Sequence, residues 1–148
     1  LVSGYNGLGL HALMTVYRMF PNQFKNVIFV SVGVIDYDRF RGEVEIDNLK
    51  RSTEEALRKY VDFAHRMGFA ADSRMAMGTD PVDEVAEMCP KLAQEYNQCV
   101  VFGGQLAFAD ETVWTRYLHS QVAFEIQRRL QFAGLPVVIL PIRAVKRP

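Results

Sequence analysis

The strongest constraint on the fold is a regular alternation between short runs of continuous apolar residues and longer segments with helical apolar spacing. The run NVIFVSVGVI over residues 26–35 is nearly all β-branched or aromatic, which is typical of a strand covered on both faces. Residues 99–102 and 136–142 have the same character, residues 70–77 form a weaker strand, and residues 1–3 form the stub of a first strand. This alternation predicts βαβ crossovers and a parallel sheet.

The segments between these strands have apolar residues at helical spacing and recognisable start and stop signals. The second helix has an apolar side with Leu49, Thr53, Ala56, Leu57, Tyr60 and Ala64, and a solvated face with Lys50, Arg51, Glu54, Glu55, Arg58 and Lys59. The inner side of the last helix is marked by Leu118, Val122, Ile126, Leu130 and Ala133. The pattern predicts helices over residues 10–20, 48–67, 81–96 and 111–133, with polar loops over residues 36–47, where Asp36 and Asp38 form turns, and over residues 105–110. Asp80 before Pro81 is an N-cap signal, and Gly68 and Gly134 are signals for helix ends. Pro90 is expected to interrupt the third helix.

The order β-α-β-α-β-α-β-α-β predicts an α/β three-layer sandwich with a five-stranded, mostly parallel sheet of the doubly wound type. The 148 residues suit one domain over residues 1–142, with a truncated first strand, and a tail over residues 143–148. Because the chain begins at Leu1 without a methionine, we expect it to be processed or to be a fragment of a longer protein.

Composition argues against a nucleic-acid-binding protein and against a metal site. Seventeen Lys and Arg residues balance seventeen Asp and Glu residues, whereas nucleic-acid binders usually carry a basic excess. Cys89 and Cys99 lack the spacing of a disulfide framework and are expected to be buried, reduced thiols. His11, His65 and His119 have no partner at metal-ligand spacing, and the sequence contains no G-x-S-x-G elbow, so no enzymatic activity is predicted.

Two glycine-rich segments supply the candidate binding residues. Doubly wound sheets bind ligands at the carboxyl ends of strands, and the strand orders 2-1-3-4-5 and 3-2-1-4-5 both place the loop after the first strand there. In the second order the loop after the fourth strand lies at the same place. Glycines in such loops let the backbone approach a phosphate near a helix N-terminus. The candidates are Gly4, Asn6, Gly7 and Gly9 in the first segment and Gly103 and Gly104 in the second.

The alternative interpretation is that these glycines only form tight turns between strands and helices. The first segment reads G-x-x-G-x-G rather than G-x-G-x-x-G, and it lacks the Gly-Lys-Ser/Thr ending of a P-loop. From the residues alone, both a small-ligand site and a purely structural role therefore remain open.

Several strings of the sequence resemble one known family. They are SGYNGLGLHALMTVYRMFPNQFKNVIFVSVGVID over residues 3–36, GTDPVDEVAEMCPKL over residues 78–92, the turn over residues 103–106, and AFEIQRRLQFAGLPVVILPIR over residues 123–143. Together they resemble the soluble C-terminal domain of bacterial amino-acid permeases of the amino acid–polyamine–organocation (APC) superfamily. The similarity covers nearly the whole chain, and that domain is similar in layout to the universal stress protein fold.

The resemblance implies a non-catalytic accessory or regulatory domain on the cytosolic face of the cell membrane, with the membrane part of the same permease as its partner. Nucleotide-binding universal stress proteins carry a glycine signature after the fourth strand that ends in Gly and Ser or Thr. His119 and Ser120 occupy that place here, so only Ser120 matches in type, and Ser3 and Gly4 replace the usual acidic residue after the first strand. No cofactor is therefore expected, and a nucleotide- or anion-sensing domain is the alternative.

The resemblance also implies a homodimer, because the last strand of that fold often pairs with its copy. The strand over residues 136–142 is an apolar edge that would pair in this way, although Pro136 and Pro141 lack N–H donors. A third reading, from a different class, is a stand-alone stress-type or small enzymatic domain.

Overall fold

The computed structural model describes residues 1–2, 4–5, 7–38, 42–108 and 113–144. Within them the elements are α1 (Gly7–Met19), β1 (Asn26–Val34), α2 (Glu43–Arg66), β2 (Ala70–Gly78), α3 (Pro81–Glu95), β3 (Val101–Phe108), α4 (Val113–Phe132) and β4 (Val137–Ala144). The chain divides into two compact units, Leu1–Glu84 and a second unit that begins at Val85. The single domain over residues 1–142 stays a prediction.

Each unit contains a two-stranded parallel sheet. β1 pairs with β2 from Asn26↔Ala70 to Val34↔Gly78, and β3 pairs with β4 from Val101↔Val137 to Phe108↔Ala144. Parallel strands linked through helices confirm the mixed α/β class. They also correct the expectation of one five-stranded sheet, since the described residues form two sheets of two strands.

The described part of the predicted first strand, residues 1–2, is not part of either sheet. The N–H of Val2 donates to the carbonyl of Val30, at 2.9 Å, so this stub does lie beside β1. Only residues 1–2 and 4–5 are described here, and a strand needs a run of successive pairs to form a ladder.

The core of the first unit is formed by one face of α2 together with α1 and β1. The buried cluster contains Leu13, Phe29, Leu57, Tyr60 and Ala64. The three α2 members are spaced i, i+3 and i+7, which places them on one side of the helix and confirms the predicted apolar face.

Among the side chains that the structure describes in the second unit, the buried apolar ones come from α3, α4, β4 and the turn before β4. They are Val85, Cys89, Leu92, Ile126, Leu130, Leu135, Val137 and Leu140. Leu130 is fully buried, and the predicted inner side of the last helix is confirmed at Ile126 and Leu130. It is wrong at Val122 and Ala133, which are exposed, and the side chain of Leu118 lies outside the described part of the chain.

Two of the helices end in the same way, at glycines whose backbone is left-handed. Gly68 has φ 87° and Gly134 has φ 81°, a conformation that favours glycine. After α2 the N–H of Phe69 donates to the carbonyl of Ala64, at 2.9 Å, and after α4 the N–H of Leu135 donates to that of Leu130, also at 2.9 Å. These are the six-to-one bonds of a Schellman motif, so both predicted helix ends are confirmed.

The start of α3 is set by the side chain of Asp80. Its Oδ1 accepts from the N–H of Val82, at 2.9 Å, and from that of Asp83, at 3.5 Å, which confirms the predicted N-cap. Pro90 does not end this helix, which continues to Glu95.

Replacing Asp80 with alanine should lower the free energy of unfolding by about 1 kcal/mol, because two N–H groups of the first turn lose their acceptor. Chemical denaturation followed by circular dichroism measures the change. Asp80→Asn is the matched control, since an amide oxygen can still cap the helix. An equal loss in both variants would contradict the capping role.

Predicted loops are shorter in the structure. α1 begins at Gly7 rather than at residue 10, so Gly7 and Gly9 lie in the helix and not in a loop before it. α2 begins at Glu43 rather than after residue 47. The carboxylates of Glu43 and Glu45 in its first turn stabilise this earlier start, because they lie at the positive end of the helix dipole. β3 continues to Phe108, so the predicted loop over residues 105–110 is wrong for its first four residues; the rest of that loop lies outside the described residues.

The extension of β3 places the second glycine pair inside a strand. Gly103 pairs with Ile139 and Gly104 with Leu140 in the ladder to β4. Glycine is a weak strand former, which is why the sequence pattern predicted a strand end here. Backbone pairing with an apolar neighbouring strand overrides that weak local preference.

Candidate functional site

The first glycine-rich segment connects the stub beside β1 to the start of α1. Gly4 has φ 41°, in the region that favours glycine, so a tight turn by itself accounts for a glycine at this position. Gly7 is the first residue of α1 and Gly9 lies in its first turn. Ser3 and Asn6, the latter a predicted site residue, lie outside the described residues.

Tyr60 of α2 holds this segment in place. The side chain is fully buried, and its hydroxyl donates to the carbonyl of Gly4, at 2.8 Å. A Cβ on Gly9 would overlap that hydroxyl and would lie 2.7 Å from Cζ of the same ring. The missing side chain of Gly9 therefore makes room for the tyrosine, which gives this glycine a packing role.

Aromatic contacts surround the tyrosine on two sides. The ring of Tyr5 meets Tyr60 edge-on, with centroids 4.9 Å apart, and the ring of Phe29 stacks on it at 5.2 Å. The ammonium of Lys59 lies 6.0 Å from the centre of the Tyr5 ring, at the outer limit of a cation–π contact. The segment is thus anchored by apolar packing, with one basic group beside it.

Gly7 differs from its neighbours because packing does not require it. A Cβ added there would meet no heavy atom within 4 Å, and its backbone is not left-handed. Since it begins α1, its surroundings include N–H groups that have no partner within the helix. Neither packing nor backbone conformation therefore explains why this residue is a glycine, and the ligand-binding interpretation of the segment rests on Gly7.

The second group of predicted residues belongs to the second compact unit. Gly103 is buried and Gly104 is exposed, and both lie within β3 rather than in a loop after it. Ser120 lies within α4, and its side chain falls outside the described part of the chain. Among the predicted site residues that the structure describes, the geometry that supports a site is found in the first segment.

The other polar side chains with predicted roles have local partners or raised pKa values. Asp36 accepts from the N–H of Asp38, at 3.1 Å, which confirms the turn predicted there. Burial raises the pKa of the Cys89 thiol and of the Cys99 thiol, so both stay protonated at neutral pH. The prediction of two buried thiols is confirmed for Cys89, which is buried, whereas Cys99 is only partly buried.

An open depression on the outer side of α2 is lined by side chains of both charges. These are Arg51, Glu54, Glu55 and Arg58. Arg58 and Glu55 approach each other at 3.9 Å, and both are more than half exposed. The lining balances two cations against two anions, which favours neither sign of ligand charge and agrees with the solvated face predicted for this helix.

The described residues also lack two other kinds of feature. They contain no group of three or more His, Cys, Asp or Glu side chains placed to hold a metal ion. Among the helices that the structure describes, none combines the length and the apolar character needed to cross a bilayer.

The sequence pattern placed Tyr60 on the apolar side of α2 but missed its bond to Gly4. A tyrosine in an otherwise apolar stripe was the available signal, because a buried hydroxyl needs a partner. The pattern could not name that partner, since 56 positions separate the two residues.

Comparison with known protein families, with curated proteins and with solved structures finds no match to this chain. The site is therefore interpreted from its own residues.

Proposed function

We propose that this chain is a non-catalytic accessory or regulatory domain of an amino-acid permease, located on the cytosolic face of the cell membrane. The observation that carries the proposal is the resemblance over residues 3–36, 78–92 and 123–143, which together span both compact units. Its direct partner is the membrane part of the same permease.

The strand pairing supports a domain of the α/β class to which the resembled fold belongs. The parallel pairs β1–β2 and β3–β4 are each linked through a helix, as βαβ units of that class are.

The contacts of Tyr60 support a non-catalytic role for the first glycine segment. The left-handed turn accounts for Gly4, and the space needed by the tyrosine hydroxyl accounts for Gly9. Two of the glycines that suggested a ligand loop are thus explained by backbone conformation and by packing, without a ligand.

The reading frame upstream of Leu1 tests the permease proposal most directly. Ten or more hydrophobic spans encoded ahead of this residue would support it and would exclude a stand-alone stress-type or enzymatic domain. A frame that opens just before Leu1 would contradict it.

Transport measurements then separate an accessory role from others. In the full-length permease, removal of this domain should change the rate of amino-acid uptake or the amount of transporter in the membrane, while the order of preference among amino acids stays the same. A changed preference would place substrate selection in this domain and contradict the accessory role.

A homodimer through the last strand is part of the same proposal. β4 pairs with β3 along one edge, and its other edge would pair with the same strand of a second copy. Pro141 lies in this strand and has no N–H to donate, which limits the length of such a ladder.

A second candidate function is the sensing of a nucleotide or another anion at the first glycine segment. The specific observation in its favour is Gly7, which begins α1 and whose missing side chain faces open space. Helix N-termini favour phosphate groups, because their free N–H groups point outward.

Thermal unfolding with ATP, ADP, AMP and cyclic nucleotides tests this candidate. A ligand at about 100 times its Kd adds roughly 2.7 kcal/mol, which should raise the unfolding midpoint by roughly 5–10 °C. The shift should disappear in Gly7→Leu, which has space for the side chain and should stay folded, and should persist in Asp38→Ser as a surface control. No shift with any nucleotide would leave the segment as a plain turn.

A further inference from the structure

The outer edge of β2 is the side of this strand that faces away from β1. In a parallel strand, the N–H and C=O of one residue point to the same side, and successive residues alternate. The carbonyl of Gly78 points toward β1, because it accepts from the N–H of Ile35 at 2.8 Å. By alternation, Ala71 and Ser73 present their backbone groups to the outer edge.

Side chains of the same unit form hydrogen bonds with those outward-facing backbone groups. The N–H of Ser73 donates to Oδ1 of Asp72, at 2.8 Å, and its carbonyl accepts from Nη1 of Arg74, at 2.9 Å. The same Nη1 also donates to Oδ2 of Asp72, at 2.7 Å. The two side chains therefore form a clamp that satisfies both outward groups of Ser73.

A third side chain covers the preceding outward residue. Nε2 of His65, in the last turn of α2, lies 3.1 Å from the carbonyl of Ala71. A carbonyl only accepts, so this ring nitrogen carries the proton. Three polar side chains thus form hydrogen bonds with the backbone groups to which an added strand would have to bond.

The clamp is formed by an ionised pair. The hydrogen bond from Arg74, and then that from the N–H of Ser73, hold the pKa of the Asp72 carboxyl below its ordinary value. The carboxylate and the guanidinium are therefore both charged at neutral pH, and charge-assisted bonds of this kind are stronger than neutral ones.

We infer that His65, Asp72 and Arg74 close the outer edge of β2 against strand pairing with a second copy of this chain. An open sheet edge is a template for such pairing, and charged side chains on the edge are a known way to prevent it. An added strand would have to displace the clamp before it could bond to Ser73. The inference goes beyond the proposed function and does not depend on it.

The experiment compares the self-association of three variants with that of the wild-type chain. Asp72→Ala with Arg74→Ala opens the edge at Ser73 without changing the net charge. The matched control is Glu87→Ala with Lys91→Ala, which removes an exposed ion pair of 3.1 Å within α3. Sedimentation velocity over a range of concentrations gives the mass, and circular dichroism confirms folding.

The edge variant should associate beyond the state of the wild-type chain, with an apparent Kd at least about tenfold lower, since every 1.4 kcal/mol is tenfold. The control should match the wild type. Adding Ser73→Pro to the edge variant should reverse the association, because proline lacks the outward N–H and leaves the bonds to β1 intact.

Three results would overturn the inference. They are a folded edge variant with the wild-type mass, association of the control to the same extent, and association that survives Ser73→Pro. Exposed ion pairs contribute little to stability, so the edge variant should fold. If the edge variant does not fold, the single variant Arg74→Ala is measured instead. Greater association than the wild type supports the inference, and an unchanged mass refutes it.

Discussion

Replacing Tyr60 with alanine should lower the free energy of unfolding by about 3–5 kcal/mol, the usual loss for removing a large buried aromatic side chain. The tyrosine is fully buried, packs against Tyr5 and Phe29, and bonds to the carbonyl of Gly4. The truncation leaves a cavity between α2 and the first glycine segment. Chemical denaturation followed by circular dichroism measures the loss.

Tyr60→Phe separates the ring from its hydroxyl. The ring contacts remain and only the bond to Gly4 is lost, so the expected cost is about 1–2 kcal/mol. Equal losses for the alanine and phenylalanine variants would show that the aromatic packing contributes nothing.

Gly9 provides an independent test of the same contact. A glycine to alanine change within a helix ordinarily stabilises by about 1 kcal/mol. Here Gly9→Ala should destabilise, because the new Cβ overlaps the buried hydroxyl of Tyr60. The loss should shrink when Tyr60 is changed to leucine. Gly7→Ala is the matched control, since the space around Gly7 is open, and Gly9→Ala with unchanged stability would contradict the packing explanation.

Leu130→Ala should lower the free energy of unfolding by about 2–5 kcal/mol, the largest effect expected in the second unit. Leu130 is fully buried, and its carbonyl accepts the N–H of Leu135 where α4 ends. Phe132→Ala, two residues later, is the control: its side chain is 86% exposed, so the change should stay within about 0.5 kcal/mol.

Both variants can be measured by denaturant unfolding of the intact chain. A larger loss for Phe132→Ala than for Leu130→Ala would mean that the side of α4 that carries Phe132 is the buried one.

Features governed by neighbouring residues were predictable from the sequence. The N-cap at Asp80 and the glycine ends at Gly68 and Gly134 depend on backbone and side-chain groups within six positions along the chain, so local composition suffices. The continuous apolar run of β1 and the stripe on α2 were also predictable, because burial requires apolar residues at the period of each element.

The extent of β3 was not predictable from local preference. Two adjacent glycines normally mark a turn, and the pattern placed the strand end at Gly103 and Gly104. The parallel ladder to β4 continues through them, since backbone pairing does not require a side chain. The same pairing decided that the described strands form two sheets of two strands rather than one of five.

The amino-acid sequence by itself determined the α/β class, the C-terminal ends of the described helices and the side of α2 that is buried. Only the tertiary structure showed why Gly4 and Gly9 of the first glycine segment are glycines. Tyr60 reaches the carbonyl of Gly4 from 56 positions away, and the room for its hydroxyl exists because Gly9 has no side chain. The physical reason is range: caps and periodicity act within a few residues, whereas a buried hydroxyl finds its partner only when distant elements pack together.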